Sequence, residues 1–218
     1  MNVEPRQIII KRHGGKGSGW FAPPLGDHVE EKEVSQIDMK QEVPGLSPTS
    51  FGQENYRGIG KVSYGKKDKK VAMENAKDID AALSKVPPEH IKGMNNLYVT
   101  GGGFLGSAIY IPPNPKTGRA SDEIMLMDGW LEKKSSDRQQ SLLHEVGHRV
   151  QLVIDKKSFS EFERQGLDKY FNDITDAKFA KNYKRNHHAS ETFAESYARY
   201  LMNTEQPEPL NKFWSDRL

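Results

Sequence analysis

Residues four apart on an α-helix of about 3.6 residues per turn stand one above the other on a single face. The run His144-Glu145-Val146-Gly147-His148 therefore presents two imidazoles within reach of one ion. Glu145 follows His144 directly and is turned about 100° around the axis, which puts its carboxylate beside such an ion rather than on it. Two imidazoles and an adjacent carboxylate suit hydrolysis assisted by a divalent metal, with Glu145 as the general base that takes a proton from the attacking water. With 7 histidines and 17 glutamates in 218 residues, a chain of this composition shows the pattern by chance with a probability of roughly 0.02. A third ligand is needed before the motif decides anything.

A catalytic tetrahedral zinc takes three protein ligands and keeps one position open. The chain has no cysteine, so the third ligand must be His, Asp or Glu. The candidate segment is Glu191-Thr192-Phe193-Ala194-Glu195-Ser196-Tyr197-Ala198, a second amphipathic helix with Glu191 and Glu195 one turn apart and Phe193, Ala194, Tyr197 and Leu201 on its apolar side. Like charges at that spacing repel mildly, a cost that a neighbouring cation removes.

His144-Glu145-Val146-Gly147-His148 followed 43 positions later by Glu191-Thr192-Phe193-Ala194-Glu195 resembles the gluzincin-type domain of anthrax lethal factor and the bacterial Pro-Pro endopeptidases. The resemblance covers roughly residues 136 to 201. It implies a zincin-like metallopeptidase with His144, His148 and Glu191 as zinc ligands, Glu145 as the base and Glu195 supporting the site from behind the ligands. It also implies a peptide or protein substrate, added as an extended strand to a sheet edge, either 107–111 or 123–127. The family places a tyrosine seven residues before the third ligand as donor to the oxyanion. That position here is Lys184, so the donor falls to the adjacent Tyr183, or to His187 or His188.

The elements that must hold these groups follow from periodicity. Residues 136–155, 158–170, 189–203 and 210–217 read as helices, as does a run from Lys69 that Pro87-Pro88 ends. Ser136 with Gln139 matches a capping box, and Lys156-Lys157 suits the C-terminal end of the first of these helices. Segments 96–100, 107–111 and 123–127 have strand character. Gly101, Gly103 and Gly106 match G-x-G-x-x-G, but a strand closed by Pro112 follows where a dinucleotide site needs a helix, so the glycines read as a loop. The order of elements predicts an α+β fold over residues 68–218.

Residues 1–67 are rich in Gly, Pro, Ser and charge and read as a flexible tail or linker. Within them, Gly14-Gly15-Lys16-Gly17-Ser18-Gly19-Trp20-Phe21-Ala22-Pro23-Pro24 resembles the Gly-rich, aromatic-punctuated tails of phage head-morphogenesis and minor capsid proteins. That resemblance implies a phage setting, with phage structural proteins as partners and a non-catalytic zincin-like structural or host-interaction module as the alternative to an enzyme. A net charge of +2 argues against nucleic acid as a partner. The sequence carries neither a membrane span nor a signal peptide, which favours a cytoplasmic or virion-associated protein.

Overall fold

Four short strands make one mixed sheet in the computed structural model, which describes residues 57–64, 69–99, 107–114, 120–176, 180 and 185–218. The strands are β1 (Lys61–Tyr64), β2 (Asn96–Val99), β3 (Ala108–Ile111) and β4 (Glu123–Leu126), in the spatial order β1-β2-β4-β3. β1 runs parallel to β2 and β2 to β4, while β3 lies antiparallel to β4 at one edge. Leu97, Val99, Ile124 and Leu126 have no exposed surface, and the residues that alternate with them, Asn96, Tyr98, Glu123 and Met125, are half-buried, as the period of two dictates. Of the two segments expected as the sheet edge, β3 holds that place and β4 is interior.

β1 lies within the segment that composition assigns to a tail. A run of four residues is too short for its alternation to stand out in the sequence, and the strand is fixed by its pairing to β2, with Val62 buried. Residues 1–56, including the Gly14–Gly19 run, and the glycine loop 101–106 lie outside the described residues.

Eight helices of the described residues surround the sheet: α1 (Lys69–Leu83), α2 (Pro88–Ile91), α3 (Asp128–Leu131), α4 (Ser135–Arg149), α5 (Lys156–Arg164), α6 (Phe171–Ile174), α7 (His188–Met202) and α8 (Glu208–Ser215). The observed class is α+β, as expected. α4 begins one residue before the expected capping box: Ser136 does not cap it, and Ser135 Oγ instead donates to Asp78 Oδ1 on α1 at 2.5 Å. The helix passes into a π-helical turn, Val150–Ile154. Asp155 then caps α5 by accepting from the Ser158 backbone N–H at 3.0 Å, so Lys156 and Lys157 open α5 instead of closing α4. Gly166, at φ +62, ends α5 in the left-handed conformation and splits the expected 158–170 helix.

Two features lock α4 in place. At its end, Arg149 is almost wholly buried and binds both oxygens of Asp122, Nε to Oδ1 at 2.8 Å and Nη2 to Oδ2 at 2.7 Å; it also donates to His90 O at 2.5 Å. The Tyr110 hydroxyl donates to Asp122 Oδ1 at 2.8 Å, so β3, the β4 entrance and α4 share one polar knot inside the core. At the middle of α4, Gly147 meets α7 so closely that a Cβ there would lie 2.7 Å from Ala194 Cα. Glu191 precedes Ala194 by three residues and Glu195 follows it directly, so the two carboxylates, one turn apart from each other, flank the point where α7 meets Gly147. The opposite face of α7 is held by aromatic edges: Phe193 packs on Trp214 at 4.8 Å and on Phe162 at 5.3 Å, and Tyr197 on Trp214 at 5.1 Å.

Candidate metal centre

α4 carries His144 and His148 on one face, with ring centroids 4.8 Å apart and planes at 81°. α7 brings Glu191 between them: Oε2 lies 3.3 Å from His144 Nε2, and Oε1 lies 3.6 Å from His148 Nε2. One ligand atom from each of the three lies within 4.8 Å of the other two, and they form the one such group among the described residues. A tetrahedral zinc with arms of about 2.0–2.1 Å has edges of about 3.3–3.4 Å, which the separation of His144 Nε2 from Glu191 Oε2 matches, while His148 is nearer the other oxygen of the same carboxylate. The donor set, two imidazole nitrogens and a carboxylate oxygen, also fits a borderline-soft divalent metal. The side chains are 14 to 18% exposed, which leaves the centre reachable from one side.

Each imidazole is oriented from behind. Glu195 Oε2 lies 3.1 Å from His144 Nδ1, so the ring's N–H is spent there and Nε2 is directed at the centre. Glu195 is itself fixed through Oε1, which accepts from Gln140 Nε2 at 2.6 Å and Arg199 Nε at 3.0 Å. The corresponding partner of His148 is an amide: Gln151 Oε1 lies 3.3 Å from Nδ1 and also accepts from Ser190 Oγ at 2.8 Å. Gln151 is on the first turn of the π-helical segment, immediately beyond α4.

The charges are strongly coupled. Burial disfavours the His144 imidazolium, but hydrogen bonds to Glu191 and Glu195 overcome it and raise the imidazole well above its ordinary pKa. Burial likewise opposes ionisation of Glu191 and Glu195, and the His144 hydrogen bond outweighs it, leaving both carboxyls below their usual range. Without an ion the pocket holds a proton on His144 as its cation. A divalent metal would displace that proton and serve the same two carboxylates.

Glu145 is 9% exposed, and its Oε2 accepts from the backbone N–H of Tyr110 on β3 at 2.7 Å. The carboxylate beside the centre is thus tied to the edge strand of the sheet. Tyr183, the tyrosine expected to face the oxyanion, lies outside the described residues, as does Lys184. His188 opens α7 and is stacked on Phe171 with centroids 3.9 Å apart, while His187 is near enough for its charge to favour the Glu191 carboxylate.

The structure thus brings together His144, His148, Glu191 and Glu195 of the residues singled out on the two motif helices, with Glu145 near enough for its charge to favour the His144 imidazolium. Sequence reasoning missed Gln140, Gln151, Ser190, Arg199 and the Tyr110 N–H. Arg199 stands four residues after Glu195, a spacing at which a salt bridge is readable in advance. No protein-family model, curated protein or solved structure matches the chain.

Proposed function

We propose that this protein is a zinc-dependent endopeptidase of the gluzincin type, built on a zincin-like domain. The observation that carries the reading is the convergence of His144 and His148 with Glu191, 43 residues further along the chain and on a second helix. Chance composition accounts for a five-residue motif far more easily than for its meeting a third ligand with two separate orienting networks behind it.

His144, His148 and Glu191 would hold the ion. Zinc supplies a Lewis acid for the peptide carbonyl and a water acidified to about neutral pH. Glu145, held by the Tyr110 N–H, accepts the proton from the attacking water and returns it to the leaving nitrogen. Glu195 and Gln151 keep the imidazoles turned so that their Nε2 atoms face inward. β3, the edge strand of the described sheet, would offer an extended peptide the backbone groups of its outer side that Glu145 does not already engage at Tyr110. A purely structural metal site has no use for a base attached to an open sheet edge, which favours an enzyme over a scaffold.

The test combines metal content with turnover. Dialysed protein should retain about one zinc per chain and cut members of a diverse peptide library in a chelator-sensitive manner. Glu145→Gln should keep the zinc and lose cleavage by about 10²- to 10⁴-fold. Stoichiometric zinc without cleavage by the unmutated protein would point to the non-catalytic alternative, and absence of zinc would reject the centre altogether.

A further inference from the structure

Lys133 takes no part in holding the centre, yet it lies against the helix face that carries it. Its Nζ donates to Ser141 Oγ at 2.5 Å. Ser141 precedes His144 by three residues and Glu145 by four, and so stands one turn away on the same side of α4. The loop bearing Lys133 is firmly held: the fully buried Trp130 donates to Arg138 O at 2.8 Å, Arg138 Nη1 donates to Leu131 O at 3.2 Å, and the Lys133 N–H donates to Trp130 O at 3.2 Å. Arg138 is anchored in turn by Asp78 on α1, 2.6 Å away.

Lys133 is half-buried, and among the described residues its Nζ is seen to bond only the Ser141 hydroxyl. A lysine has three N–H donors, and here one neutral hydroxyl serves them. Burial holds its pKa below the ordinary lysine value, against the opposing fields of Asp137, Glu145 and Glu195. A rigidly mounted cation that gives up part of its water without gaining a counter-ion is costly unless an anion arrives from outside. One helical turn is about 5.4 Å and an extended peptide advances about 3.3 Å per residue. For a peptide lying along α4, a group at Lys133 would therefore face a neighbour of the bond attacked at the centre, one or two residues along, and not the scissile carbonyl itself.

We propose that Lys133 binds a substrate carboxylate, so that this peptidase selects peptides with an acidic group flanking the scissile bond. The carboxylate is supplied by an Asp or Glu side chain or by a free chain end, which share this chemistry. The proposal rests on the peptidase reading above.

The test uses the zinc-loaded full chain, unmutated and as Lys133→Met, Lys133→Arg and Lys133→Glu, on a peptide library divided into free and amidated C-termini, with products read by mass spectrometry. The unmutated enzyme should favour Asp or Glu at one fixed position in both halves, or chain ends at a fixed distance in the free half alone. In Lys133→Met the ratio of acidic to matched neutral cleavage should fall roughly ten- to hundred-fold, Lys133→Arg should restore it in part, and Lys133→Glu should turn the preference toward Lys and Arg. A preference unchanged in Lys133→Met overturns the subsite and leaves the peptidase standing, whereas no chelator-sensitive cleavage by the unmutated chain overturns both. Binding gives a second readout: in the Glu145→Gln background, the best acidic peptide and its Gln or amidated counterpart should differ in Kd by the same factor, and Lys133→Met should abolish the difference. Equal Kd values before that change refute the assignment.

Discussion

Gly147→Ala is the sharpest probe of how the centre is assembled. A Cβ at this position would lie 2.7 Å from Ala194 Cα, 3.0 Å from Ala194 O and 3.2 Å from Ala194 Cβ. Non-bonded carbons settle at about 3.5–4.0 Å, so α4 and α7 must part by about 1 Å. The two nearest atoms met are backbone and the third is a Cβ fixed to it, so none can swing aside, and α7 is backed by Phe193 against Trp214. Overpacking costs about 1–3 kcal/mol, from which alanine's better helix propensity recovers about 1 kcal/mol. The fold should therefore lose only about 0–2 kcal/mol by these two opposing contributions. The metal should suffer far more, because ligand positions are tolerant to about 0.2 Å and Glu191 rides on the displaced helix. Zinc affinity, measured by competition with a chromophoric chelator, should drop at least about tenfold, while urea unfolding of the metal-free protein changes little. An affinity within threefold of the unmutated protein would show that the close helix contact does not set the ligand geometry.

Other outcomes follow from the same contacts. Arg149→Met leaves Asp122 buried without its cation and should cost about 3–5 kcal/mol in urea unfolding; a loss below about 1 kcal/mol would mean that the knot joining α4 to β3 is energetically idle. Gln151→Leu removes the acceptor from His148 Nδ1 and should weaken zinc binding about 10–100-fold, with Gln151→Glu less affected; equal affinity in all three proteins would dismiss the amide as an orienting group. For the metal-free protein, His144 is raised from 6.5, so its contribution to stability is complete below that value and is lost as pH climbs through the higher folded-state pKa. Glu191 and Glu195 are lowered from 4.5, so theirs is present above that value and fades as acid passes through the lower folded-state pKas. Because zinc must displace the His144 proton, its affinity should rise with pH, by up to about tenfold per unit while that proton is retained; a flat profile in the chelator competition would contradict the coupling.

The parts of the centre that were legible in advance are those that helical periodicity converts directly into geometry. His144 and His148 share a face because they are four apart, Glu145 is displaced from that face because it is one apart, and Glu191 and Glu195 repeat the rule on α7. The meeting of α4 with α7 was not a matter of periodicity; it rested on a family resemblance, and Gly147, which permits the approach, gives no sign of its partner from its own position. Gln151 escaped notice because the helix changes to a π-turn at Val150, so an angular step derived from 3.6 residues per turn no longer places it. Caps were misread by small margins with large effects: Ser136 turns to Asp137 instead of capping α4, Ser135 ties the helix to Asp78 on α1, and Asp155 claims the lysines for α5. The Tyr110 N–H is a backbone group whose role depends on which side of the sheet stays open, a fact decided by strand order alone.

α8 contributes no ligand, yet its tryptophan is the floor beneath the helix that supplies one. Trp214 packs on Phe193 and Tyr197 and donates through its indole N–H to Ser196 Oγ at 2.9 Å. A gene truncated just before Glu208 would still encode both motifs in full, but its product would have lost the surface against which α7 is pressed. An inventory of motifs would count such a variant as intact, when the helix bearing its third ligand would have lost one of the surfaces that keep it in register with the other two.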